Sequence, residues 1–145
     1  MMRSKTRRSP LLLLVIALAV LAWRQWGPDA STGGGAGAEA LERAYQQRQS
    51  DVMLEVEATV DRILADDEEG RRHQRFIIAL PGGRTVLVAH NIDLAPRVPL
   101  AAGDAVTVRG EYEWNEKGGV LHWTHHDPDG RHDPGWIEHA GRRYQ

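Results

Sequence analysis

Histidine and aspartate residues crowd the C-terminal end of this 145-residue chain. Five of its seven histidines lie within the last 24 residues, with three aspartates interleaved among them. Neutral imidazole and carboxylate groups together suit Zn, Cu, Ni or Fe(II). The sequence therefore predicts a candidate site for a divalent transition metal, zinc or a similar ion. The candidate ligands are His125, His126, His132 and Asp127, with His90 joining them from the end of another predicted strand.

The spacing of these residues limits which of them can act together. On a continuous strand, His122 and His126 would lie about 13 Å apart at ~3.3 Å per residue, too far to share one ion. If the strand ends near Thr124, the turn-forming residues 127–130 can bring His132 back toward the other imidazoles. The spacing matches no standard zinc motif, so the metal interpretation depends on how this turn closes.

The same residues also suit two uses without a resident metal. Histidines often stabilise loops by hydrogen-bonding to aspartate and backbone groups, which would make the cluster structural. For catalysis, His125 or His126 is a candidate general base that Asp127 would orient. No cysteine is present and no serine follows Ser50, so only a metal-activated water could serve as the attacking group.

Four aromatic residues are candidates for ligand binding: Tyr112, Trp114, Trp123 and Trp136. OB-type barrels stack bases on such side chains beside a basic groove. Residues 51–145 carry 11 basic and 17 acidic groups, a net charge of −6, so nucleic acid is a poor ligand candidate. Exposed aromatic residues would therefore suit a glycan, a peptide or an envelope protein. The alternative is that these residues pack into the core.

The alternation of apolar and polar residues predicts the fold. Strands are expected over residues 52–60, 72–80, 85–90, 105–114 and 120–126, separated by charged or Gly/Pro-rich turns. The predicted fold class is all-β, a small five-stranded antiparallel OB-like barrel, with a β-sandwich or an SH3-like barrel as alternatives. Gly110 marks a bend in the fourth strand. A short helix over residues 39–50 would precede the barrel, and an irregular tail over residues 127–145 would follow it.

The N-terminal end has the pattern of a targeting segment. Four basic residues precede thirteen uncharged apolar residues, 11–23. This run is short for a spanning helix and long enough for a signal peptide, so residues 1–26 are either an uncleaved inner-membrane anchor or a cleaved secretory signal. Both alternatives place the remainder in the cell envelope, facing the periplasm. Residues 27–50 would form a flexible Gly-rich linker and the short helix, and residues 51–145 the barrel domain.

Several unusual strings resemble a bacterial family, the domain of unknown function 3465 family. They span residues 72–76, 90–96, 110–115, 122–128, 135–137 and 141–144. The resemblance covers roughly residues 55–145 and implies small, often exported or membrane-anchored proteins. It implies no activity, cofactor or catalytic residue.

Two hypotheses for the function follow from these residues. The first is a non-enzymatic, membrane-tethered binding or interaction module. The second is a metal-dependent hydrolase, with nucleases in that class, which requires His90, His125, His126 and His132 to converge on one pocket with an acid beside them.

The predicted placement can be tested with reporter fusions. Because the basic flank precedes the apolar run, we expect an alkaline phosphatase fusion at Asp51 to be active and a green fluorescent protein fusion there to be dark. An inactive phosphatase fusion together with a fluorescent green fluorescent protein fusion would contradict an extracytoplasmic domain.

Overall fold

One helix and seven strands make up the part of the chain that the computed structural model describes, residues 32–145. The predicted targeting segment, residues 1–26, lies outside the described residues. The elements are α1 (Thr32–Gln46), β1 (Val52–Ile63), β2 (His73–Ala79), β3 (Thr85–Asn91), β4 (Ala105–Glu113), β5 (Val120–His122), β6 (Trp136–His139) and β7 (Arg142–Tyr144). No helix within residues 32–145 is long and apolar enough to cross a membrane.

The first five strands close into a barrel, as predicted. They neighbour one another in the order β1-β2-β3-β5-β4, and pairing of β4 with β1 completes the ring. The β3–β5 pair is parallel, with Leu87 opposite Val120, and the other pairs in the ring are antiparallel. A fully antiparallel barrel was therefore the wrong prediction. A closed ring with an odd number of strands cannot alternate direction throughout, so one parallel pair is unavoidable.

The C-terminal tail is more regular than predicted. Because β5 is short, it pairs only with residues 111–113 at the end of β4. The remainder of that edge, residues 106–109, is taken up by β6, and β7 then pairs with β6 in a hairpin. Ala140 and Gly141, both with positive φ (50° and 74°), form the tight turn of this hairpin. The tail thus protects an edge that would otherwise be open to other chains.

Helix α1 begins earlier than predicted and includes most of the glycine-rich segment. A Cβ at Gly37 would lie 2.0 Å from the carbonyl oxygen of Glu55, so glycine lets the helix approach β1 closely. Leu41 and Ala44 are buried in the core. Glu42 forms a bidentate ion pair with Arg84, which fastens the helix to the β2–β3 turn. Residues 32–46 are therefore a packed element rather than part of a flexible linker.

The barrel core follows the predicted period of two. Inward side chains of β1 to β4 alternate with outward ones, and the helix covers one end of the barrel through its apolar face. The largest fully buried side chains are Tyr112, Phe76, Leu41, Ile78, Leu121 and Ile137.

Gly110 provides a test of this packing. A Cβ at this buried position would lie 2.5 Å from the carbonyl oxygen of His122 and 2.8 Å from the methyl carbon of Thr124. We expect Gly110→Ala to lower the free energy of unfolding by about 1–3 kcal/mol, since β4 and the end of β5 would have to separate. Gly82→Ala is the matched control, because nothing lies within 4 Å of its added Cβ. Equal urea midpoints for the two variants would contradict this packing.

Candidate functional site

The strand that leads to the histidine cluster ends abruptly. Strand β5 ends at His122, and the next residue, Trp123, adopts a positive φ of 53°. The predicted extension of the strand to residue 126 is absent. A bulky residue rarely adopts this left-handed conformation, which costs of order 1–3 kcal/mol. The reversal leaves the indole of Trp123 36% exposed, while the next two residues, Thr124 and His125, are buried. The surrounding structure thus keeps Trp123 in a strained backbone conformation with its ring partly at the surface.

The other three aromatic candidates do not expose a ring that a ligand could contact freely. Tyr112 is fully buried, and its hydroxyl donates a hydrogen bond to the carbonyl of Gly118. Trp136 is only 8% exposed and is covered by the guanidinium of Arg143, 3.9 Å from its ring centre. Trp114 packs against Tyr45 and is also partly buried. Ligand contact by Tyr112 was therefore the wrong prediction, since its side chain is in the core. The ring of Trp136 is covered by Arg143, and of the four candidates only Trp123 is exposed.

Three of the five predicted metal ligands lie close together around Trp123. The ring centres of His125 and His132 are 5.6 Å apart and meet edge-on. Both rings also contact the indole, with centre-to-centre distances of 5.8 Å for His125 and 4.2 Å for His132. Asp127 Oδ2 lies 3.9 Å from Nε2 of His132. His132 thus returns toward the end of the fifth strand, as expected from the sequence.

His90 and His126 do not join this group. Both ring nitrogens of the buried His90 are engaged: Nε2 donates to the carbonyl of Pro96 at 3.0 Å, and Nδ1 accepts from the hydroxyl of Thr124 at 2.8 Å. No lone pair is left to bind a metal. His126 is exposed, and its main-chain carbonyl accepts the Nδ1–H of His125. The predicted convergence of four histidines on one pocket therefore does not form.

Asp127 organises the loop that returns His132. Its carboxylate accepts hydrogen bonds from the backbone N–H groups of Asp129, Arg131 and His132. Burial alone would raise the pKa of Asp127, but these hydrogen bonds and the nearby His132 outweigh it and hold the pKa at about 2. Asp127 is therefore ionised at neutral pH, and its charge lies beside His132.

A cavity of about 320 Å³ opens beside the indole. It is lined by Trp123, His125, His132 and Asp127 together with Arg71, Leu94 and Arg131. A smaller cleft of about 140 Å³ adjoins it and shares Arg71, Trp123 and His125. Two larger depressions, of about 480 and 620 Å³, contain no histidine and no aromatic residue. A further cavity of about 330 Å³ carries ionisable groups but no tryptophan or tyrosine. The cavity beside the indole, named here the Trp123 cavity, combines ionisable groups with an exposed aromatic ring.

The two histidines of the cavity are both anchored to the main chain through Nδ1. Each donates its Nδ1–H to a main-chain carbonyl, His125 to that of His126 and His132 to that of Asp133, both at 2.8 Å. Nε2 of His132 is buried without a hydrogen-bond partner among the described residues. Burial, followed by the proximity of His132, lowers the pKa of His125, so this ring is neutral at pH 7.

Sequence reasoning missed the arginines of the cavity and a second group on the barrel wall. Within residues 32–145, one set of three or more His, Asp or Glu residues has its ligand atoms within 4.8 Å of one another: Glu111, Glu113 and His122. The alternation of residues 111–113 put both glutamates on the outer face. Only the strand register, which pairs Glu111 with His122, brings the imidazole to them. The predicted ligands around Trp123 do not form such a set.

Acid should weaken the fold through His90. Burial lowers the pKa of His90 to about 4, despite its hydrogen bond to Pro96. The unfolded chain takes up this proton near pH 6.5, so stability from neutral His90 is complete above that pH and lost as the pH falls toward 4. We expect urea denaturation to show a drop of about 3 kcal/mol in the free energy of unfolding over this interval.

Two variants isolate this contribution. His90→Gln should lower stability at pH 7 and remove most of its change between pH 6.5 and 4, whereas the exposed His126→Gln should keep the wild-type profile. A wild-type profile in His90→Gln would show that other groups cause the acid sensitivity.

Comparison with known proteins provides a family but no activity. No curated protein matches the chain at a significant level. The family model described as a protein of unknown function (DUF3465) matches residues 29–145, which includes α1, the barrel and the C-terminal hairpin. The match extends further toward the N-terminus than the resemblance seen in the sequence, in agreement with the packing of α1 on β1. The chain therefore belongs to the DUF3465 family.

Proposed function

We propose that the protein is a non-enzymatic, OB-type binding module that holds a short glycan in the Trp123 cavity. The observation that carries the proposal is the exposed indole of Trp123, held by a strained backbone at the edge of a concave site. Strain of this kind persists only where the surrounding structure enforces it, and it concentrates at binding and active sites.

The barrel topology supports a ligand at this position. Its strand order and closure are those of an OB-type barrel, in which ligands bind on the face of strands 2 and 3 and on the adjoining loops. Arg71 in the β1–β2 loop, His73 in β2 and Asn91 in β3 line the cleft beside Trp123. The proposed site thus lies on the face that this architecture uses for oligonucleotides and oligosaccharides.

The chemistry of the cavity favours a sugar over a phosphate chain. The flat apolar face of a pyranose can stack its C–H groups on the negative face of an indole. A sugar hydroxyl can donate to Nε2 of His125, whose Nδ1–H is already engaged with the main chain. A phosphodiester would meet the carboxylates of Asp127 and Asp129, and the guanidinium of Arg131 is already paired with Asp129 at 2.6 Å. The net charge of −6 over residues 51–145 opposes a polyanion further.

The proposed module acts in the cell envelope. This part of the proposal is supported by the basic flank and the apolar run within residues 1–26, which would tether the barrel to the inner membrane or export it to the periplasm. Envelope glycans, and proteins or peptides that carry them, are the ligands available to a domain placed there.

The hydrolase hypothesis has weaker support. It required His90, His125, His126 and His132 in one pocket, whereas both nitrogens of His90 are engaged and His126 is exposed. We therefore favour binding over catalysis at the Trp123 cavity.

A glycan array followed by calorimetric titration tests the proposal. The full chain is applied to an array that includes N-acetylhexosamine oligomers, and the strongest hit is titrated into wild type and Trp123→Ala. We expect at least a tenfold loss of affinity in Trp123→Ala, because the stacking surface is removed. Trp114→Phe is the control, since Trp114 packs against Tyr45, and it should bind as wild type does. No array hit, or equal affinity for wild type and Trp123→Ala, would contradict the proposal.

A further inference from the structure

A second group of ionisable side chains lies on the outer wall of the barrel. Glu111 and Glu113 are two residues apart on β4, so their side chains share the face opposite the buried Tyr112. His122 of β5 is the direct cross-strand partner of Glu111 and faces the same side. These three residues, named here the wall triad, are held by regular strands rather than by a loop.

The distances within the wall triad suit a shared ion better than hydrogen bonds. Nε2 of His122 lies 3.6 Å from Oε1 of Glu111 and 3.7 Å from Oε1 of Glu113, both beyond a normal hydrogen bond. In a tetrahedral zinc site with bonds of about 2.0–2.1 Å, neighbouring ligand atoms are about 3.3 Å apart. The two imidazole–carboxylate distances exceed this spacing by only a few tenths of an ångström, and all three ligand atoms lie within 4.8 Å of one another.

The imidazole nitrogen that points into the triad has no partner. The His122 ring as a whole is about a third exposed, but its Nε2 atom is shielded from solvent and makes no hydrogen bond to the described residues. A shielded polar atom without a partner carries a desolvation cost that ligation would offset.

The charge of the triad also calls for a cation. Within residues 32–145, no lysine or arginine nitrogen lies within 4 Å of the Glu111 or Glu113 carboxylate. Arg75 lines the adjacent cavity, but its Nε–H donates to the carbonyl of Ala65. Two carboxylates are thus held close together, with only an imidazole between them.

We propose that Glu111, Glu113 and His122 form a Zn²⁺ site with an open fourth position. Imidazole and carboxylate ligands are typical of zinc, and three protein ligands leave one position for water or a substrate atom. Glu113 and His122 also line a cavity of about 330 Å³, together with Asp67, His73 and Arg75. The site is separate from the predicted metal ligands around Trp123, and it does not depend on glycan binding.

Zinc titration of the untagged full chain tests this site. The chain is stripped with a chelator and titrated with Zn²⁺ in competition with a chromophoric chelator, and Co²⁺ is used in parallel for its visible absorption. We expect one Zn²⁺ per chain, a melting temperature that rises with Zn²⁺, and an intense four-coordinate Co²⁺ band. The Glu111→Gln, Glu113→Gln double variant should lose at least tenfold in Zn²⁺ affinity and lose that band, because both carboxylate ligands are removed. Both changes keep the shape of the side chains, so the strands should pack as in wild type.

Matched controls assign the ion to its ligands. His139→Gln disrupts another His–carboxylate pair, with Asp104 at 3.0 Å, and should bind Zn²⁺ as wild type does. His132→Gln, in the Trp123 cavity, should do the same. If the double variant does not fold, Zn²⁺ affinity is measured for the single variants Glu113→Gln and His122→Gln instead. Absence of micromolar Zn²⁺ binding in wild type, unchanged binding in the wall-triad variants, or loss of binding in His132→Gln would overturn the proposal.

Discussion

The closure of five strands into a ring is the constraint on which the rest of the structure depends. An odd ring needs one parallel pair, and β5 meets this need by lying between β3 and β4 over only three residues. Its shortness has two consequences. The chain must turn away immediately after β5, which produces the reversal at Trp123, and part of the β4 edge remains for the C-terminal hairpin. The candidate site and the ordered tail thus share one geometric origin.

The buried His90 links this closure to the loops around it. Through its two nitrogens it joins Thr124, just beyond the reversal, to the main chain at Pro96. Gln74 of β2 contributes a second tie to the same connection, exchanging two hydrogen bonds with the backbone of Val98. The irregular connection between β3 and β4 is therefore fixed by buried side chains, and Leu94 on that connection lines the Trp123 cavity. The cavity thus has rigid support from two sides.

The sequence predicted the barrel well because its signals are local. Alternating valines and the Pro81–Gly83 turn specify strands and a hairpin without knowledge of the remainder of the chain. The turn at Asp127, and the return of His132 toward His125, could likewise be predicted from local residues. The errors arose where distant segments decide: the parallel pair, the pairing of the tail with β4, and the packing of Gly37 against β1. The wall triad could not be predicted from the sequence for the same reason, since a shift of one residue in the β4–β5 register would move His122 to the other face.

The left-handed backbone at position 123 sets the stability of the fold against the ligand binding that we propose for the cavity. Glycine or asparagine would adopt that conformation at lower cost, but neither offers a ring to the cavity. A lineage under selection for folding alone would keep tryptophan there only for the contacts of its ring with His125 and His132, since the exposed part of the indole adds nothing to the barrel. The residue type that relatives carry at this position is therefore a record of whether the cavity has been used.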